Sequence, residues 1–62
     1  MNYKELLERA ELFIESTGAT VTRFCSKCGL SASLYYQWRS GKTPISAEKA
    51  AGINAFLESF GF

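Results

Sequence analysis

The sequence predicts an all-α fold, and three observations carry that prediction. Apolar residues recur three and four positions apart in each long segment. Asn, Thr or Ser precedes every such segment, where its side chain can accept from the free first-turn amides. No stretch reads convincingly as a strand, and there is neither an internal repeat nor a low-complexity tract. Sixty-two residues bound the answer to one small domain, 1–62, with one core. Nine aromatic residues let so small a core bury more area. A hydrophobic content of 47% with a single Pro argues against disorder.

The first helix is expected from about Tyr3 to about Thr17. Asn2 followed by Glu5 resembles a capping box. Leu6, Leu7, Ala10, Phe13 and Ile14 form its apolar stripe. Glu5, Glu8, Glu11 and Glu15 take the polar side, with Arg9 spaced to pair with Glu5. Thr17-Gly18 marks its end. This helix is scaffold, because its acids would repel phosphate.

The second helix is expected from Val21 to Cys28, capped by Thr20. Val21, Phe24, Cys25 and Cys28 share one face. Gly29 ends it, where a left-handed backbone costs Gly little. Leu30 turns inward and Ser31 caps a third helix over about 32–40. There Leu34, Tyr35 and Trp38 are the bulky residues, while Ala32, Ser33, Tyr36 and Gln37 lie toward the other side. Two short helices about a three-residue turn have the shape of a helix-turn-helix, whose second helix enters the DNA major groove.

Ser40-Gly41-Lys42-Thr43-Pro44 is a loop by composition. Ser46 caps a fourth helix over about 47–60, with Ile45 and Ala50 as a hydrophobic staple. Ala47, Ala50, Ala51, Ile53, Phe56, Leu57 and Phe60 are its apolar set. Small residues at its start allow close approach to the central helices; rings at its end fill space.

The net charge of +1 matters less than its distribution. Residues 17–47 carry Arg23, Lys27, Arg39 and Lys42 and no acid, whereas the flanking segments are both net negative. That is the footprint of a phosphate-binding face. It is also within the range of ordinary surface. No apolar run approaches the roughly 20 residues of a membrane span, and no signal peptide is visible, so a cytoplasmic location is expected.

No enzyme is expected: the chain has no His, no Asp and no phosphate loop following a strand. No metal or other cofactor is expected either. Cys25 and Cys28 spell CxxC, yet a zinc site needs four ligands and this chain offers only these two thiols. On an apolar helix face they read as small hydrophobes, with zinc shared between two chains as the residual alternative. Tyr35 and Trp38 read as core. Phe60 and Phe62 either join a symmetric dimer contact or fold back on their own core.

At these residues the chain resembles the Cro and lambda-repressor-like helix-turn-helix proteins, also called the XRE family. Cys25 fits the family's small residue in the first helix of the motif, Cys28 its next hydrophobe, and Gly29 the turn glycine. Leu30 matches the inward aliphatic and Ser31 the cap. Tyr35 matches the inward residue of the second helix and Trp38 the frequent Trp. Gly41-Lys42 matches the following loop, and Pro44-Ile45-Ser46 opens the next helix. The resemblance covers about Thr20 to Leu57. Two positions depart from the pattern: Val21 stands where many relatives carry a phosphate-holding Gln, and Tyr35 is larger than the usual Ile or Val. Many relatives also carry a fifth helix or strands that dimerise.

The resemblance implies a compact four-helix, lambda-repressor-like DNA-binding fold and a sequence-specific transcriptional regulator. It implies a Cro-like repressor of phage or mobile-element type, dimeric on a palindromic double-stranded DNA operator and acting by promoter occlusion. Ser31, Ala32, Ser33, Tyr36 and Gln37 would then face base edges. Arg23, Lys27, Arg39, Ser40, Lys42 and Thr43 would face phosphate. No membrane or small-molecule substrate is implied. The alternative is a module that keeps the fold and binds a protein, such as an antirepressor.

Overall fold

The computed structural model describes residues 2–62, which form four helices and no strand. They are α1 (Tyr3–Thr17), α2 (Val21–Cys28), α3 (Ala32–Arg39) and α4 (Ala47–Ser59). All four N-caps hold as expected. Asn2 accepts from the amides of Lys4 and Glu5, and Thr20 from that of Arg23. Ser31 accepts from Leu34, and Ser46 from Lys49. Each cap satisfies donors that a helix start otherwise leaves unpaired. α3 and α4 stop one residue earlier than the periodicity suggested, at Arg39 and Ser59, with Ser40 and Phe60 as C-caps.

Gly29 decides how α2 passes into α3. It is left-handed, with φ of 78°, and its Cβ-free backbone lets the chain reverse. The Leu30 amide then donates 2.8 Å back to the Cys25 carbonyl, closing a Schellman motif. That bond turns Leu30 into the core, where it is buried. The same six-to-one bond recurs from Lys42 to Gln37 after α3, and from Phe62 to Leu57 after α4.

The core unites Leu6, Ala10 and Phe13 of α1 with Phe24 and Cys25 of α2, Tyr35 and Trp38 of α3, and Ala50, Ile53 and Leu57 of α4; Leu30 and Ile45 join it from the connections. α1 packs on α4, and α2 on both α3 and α4. The large Tyr35 ring is accommodated edge-on against Phe24, at 72° and 6.2 Å between centroids. Of the small residues on α4 only Ala50 is buried; Ala47 and Ala51 are exposed, so they do not serve the expected packing role. At Gly52 a Cβ would make only an ordinary contact, 3.7 Å from the Cys28 carbonyl oxygen, so the close packing of α4 rests on Ala50.

Arg9 corrects another expectation. It does not pair with Glu5. Its Nε donates to the Phe62 main-chain oxygen and its Nη1 to Asn54 Oδ1, each at 2.7 Å. The reason is geometric: α4 and the turn after it deliver half-buried acceptors, Asn54 and Phe62, whereas an exposed i+4 pair orders two long side chains for little gain. Among the described residues, no helix is long and apolar enough to cross a membrane.

Candidate nucleic-acid interface

α3 presents one face to the core and one to solvent. Tyr35 and Trp38 are buried; Ser31, Ser33, Tyr36 and Gln37 are exposed. Ala32 is half-buried, so it contributes less of the outer face than its spacing suggested. The Tyr36 ring, 51% exposed, stands edge-on to Tyr35 with 5.7 Å between centroids. A core residue thereby braces the ring, about half of which stays in solvent.

Gln37 is the organising residue of the outer face. Its carbonyl accepts from the amides of Lys42 and Thr43 and from the Ser40 hydroxyl. Its side-chain Oε1 accepts from Thr43 Oγ1 at 3.1 Å. The loop therefore wraps around the last turn of α3 and holds Ser40, Lys42 and Thr43 beside it. The Gln37 carboxamide keeps both N–H donors and one acceptor lone pair for a ligand.

The expected cations do not all gather there. Arg39 Nε lies 3.4 Å from Glu11 of α1, both side chains about half exposed. Arg23 and Lys27 sit on α2 beside Phe13, Phe24 and Phe56, where they rim an apolar groove of about 140 Å³. Lys42 alone of the four shares the Gln37 loop. Lys49 was missed in the sequence: its Nζ donates to the Gly29 carbonyl at 3.3 Å, placing a cation against the turn that precedes α3. The available signal was its position three residues after the Ser46 cap, which faces the first turn of α4 back toward α2.

No family model, no curated protein and no solved structure matches this chain.

Cys25 and Cys28 are free thiols, one buried and one half-buried. With Cys25 only 1% exposed, a metal shared with another chain would require the core to open. Burial raises the Cys25 thiol above its ordinary value. Burial, with Cys25 adding, pushes Cys28 from 9.0 up to about 11. Both thiols thus favour the neutral, unreactive form. The folded state holds these protons more tightly than the unfolded chain does. The resulting stabilisation is complete below pH 9 and is lost as pH rises toward 11. Thermal melts should show a flat midpoint through neutral pH and a fall above pH 9. Iodoacetamide at pH 8 should label both thiols far more slowly in native than in unfolded protein; rapid native labelling would overturn this placement.

Proposed function

We propose that the chain is a sequence-specific DNA-binding regulator, with α2, the Gly29 turn and α3 acting as a helix-turn-helix of the Cro and lambda-repressor-like kind. The observation that carries this reading is the outer face of α3. Ser31, Ser33, Tyr36 and Gln37 are exposed together and bear no acid, and the Lys42 loop is bonded to Gln37 beside them. Such a face offers donors and acceptors to base edges and a cation to phosphate. The Tyr35 departure from the family pattern is compatible with this role, because its ring is absorbed inward against Phe24.

Phosphate contacts fall first to Lys42, Ser40 and Thr43. Arg39 is available as well, since its exposed pair with Glu11 is worth only about 0–1 kcal/mol and can be exchanged. Arg23 and Lys27 are weaker candidates for phosphate, because they border a groove lined by α1 and α4 residues. As a Cro-like repressor the chain would bind a palindromic operator as a dimer and block a promoter.

One observation favours the second reading, a protein-binding module. Two of the four central cations flank an apolar groove and a third is paired with an acid. Selection of bound sequences from random DNA at low salt, followed by a salt titration, separates the two. Enrichment of one motif and affinity falling linearly with salt on logarithmic axes supports the regulator. Absence of any DNA complex at low salt refutes it and leaves the protein-binding module.

A further inference from the structure

We propose that a pocket of about 190 Å³ where α1, α2 and α3 meet is a binding site for a small α-amino acid. Glu11, Ile14 and Glu15 of α1, Val21 of α2, and Tyr35 and Arg39 of α3 line it. Its size excludes a nucleotide or other drug-sized ligand, which needs about 300–1,000 Å³. Scaled from a cavity of about 150 Å³ that takes benzene, it admits roughly eight heavy atoms.

Tyr35 makes this more than a gap between exposed side chains. Only 1% of the residue is exposed, and its ring stands edge-on to Phe24, Tyr36 and Trp38. Its hydroxyl has no hydrogen-bond partner among the described residues. No fully buried side-chain oxygen or nitrogen there is left in that condition. The hydroxyl is therefore the part of Tyr35 that reaches the surface, and it does so in this pocket. Burial raises it above its ordinary value, with Glu11 adding to the rise and Arg39 opposing it, so it keeps a proton to donate at neutral pH. The core gains nothing from this hydroxyl, since Phe would fill the same space.

An acid–base pair and a second acid surround it. Arg39 Nε lies 3.4 Å from Glu11, too loose a contact to occupy the donors of the guanidinium. Glu15, one turn beyond Glu11, is exposed and has no ion pair among the described residues. Glu11 and Glu15 answer a ligand ammonium, while Arg39 and the Tyr35 hydroxyl answer a carboxylate. Ile14 and Val21, both half-buried, receive an apolar side chain. An α-amino acid carries its opposite charges on adjoining carbons, so it can lie head to tail along the Glu11–Arg39 pair. A simple amine would leave Arg39 and the hydroxyl proton unanswered. A simple carboxylate would meet two acids. Ser31, Ser33, Tyr36, Gln37 and Lys42 lie outside the pocket, so binding there is separable from the DNA reading.

Isotope-labelled protein titrated with L-valine provides the test, read at the amides of Glu11, Glu15, Val21 and Arg39. Their shifts should saturate with a dissociation constant of about 20 mM or tighter, the weak limit for about eight heavy atoms. Isobutylamine is valine without its carboxylate, and isovalerate is valine without its ammonium. Each should bind at least about tenfold more weakly than valine. Tyr35→Phe should bind valine at least about threefold more weakly while keeping the wild-type melting midpoint. Glu15→Gln and Arg39→Gln should each weaken binding about tenfold. Should Tyr35→Phe melt early, Glu15→Gln, on the surface, carries the same comparison. Absence of saturable shifts with both L-valine and L-leucine up to about 100 mM overturns the proposal. So does isobutylamine binding as tightly as valine, which would mark a site for simple cations, or a folded Tyr35→Phe that binds valine like the wild type.

Discussion

Replacing Phe13 by Ala should unfold the domain at 37 °C. Phe13 is the hub of the aromatic cluster: its ring lies 5.2–5.7 Å from Phe24, Phe56, Phe60 and Phe62. Truncating a buried Phe to Ala typically costs about 3–5 kcal/mol, through lost transfer energy and the cavity left behind. A domain this small rarely has more than about 3–5 kcal/mol in total. The cavity could not close cheaply, because the rings around Phe13 come from α2, α4 and the turn after it, and each is anchored by its own packing. Far-ultraviolet circular dichroism should show loss of most helicity for Phe13→Ala. Phe13→Leu, which fills most of the space, should remain folded and melt at a lower temperature. A cooperative melt of Phe13→Ala near the wild-type midpoint would refute the hub role.

Gln37→Ala should produce the largest loss of sequence preference while leaving the fold intact. If α3 reads the major groove, a carboxamide paired to one base edge is worth about 1–3 kcal/mol there, or about 5- to 150-fold in affinity. The loss should be confined to one base pair in each half-site. It should be accompanied by a looser loop, because Thr43 Oγ1 loses its acceptor. Lys42→Ala should behave differently, weakening binding to all sequences alike and lowering the salt slope by about 1 for each chain bound. Competition binding against single-base operator variants, repeated at several salt concentrations, distinguishes the two patterns. Identical profiles for the two variants would mean that Gln37 does not read a base.

Much of this architecture was legible because its causes are local. Asn2, Thr20, Ser31 and Ser46 cap helices through bonds that span only two or three residues. The Gly29 turn is equally local, since one left-handed residue and one backward bond reverse the chain. Apolar spacing identified Leu6, Ala10 and Phe13 as core, and also Tyr35 and Trp38. It failed at Ala47 and Ala51, where methyl groups carry too little hydrophobicity to reveal which face of a helix is covered. It also left the fate of Phe60 and Phe62 open. Phe62 is half-buried because the turn after α4 folds it onto Phe13, while Phe60 stays mostly exposed.

The candidate site divides along the same line. That α3 has an outward polar face follows from residue spacing within eight positions. That Thr43 holds Gln37 follows only from how the loop wraps.

By itself the sequence determined four capped helices, the sharp bend between the second and third, and the aromatic character of the core. Those outcomes depend on energies exchanged within a turn or two of chain. Tertiary structure alone decided where the charges go: Arg9 to Phe62 and Asn54, Arg39 to Glu11, Lys49 to Gly29, and Arg23 with Lys27 to the edge of an aromatic groove. Long cationic side chains pair with whatever acceptor packing brings near, and that distance is set by helices far apart in the chain.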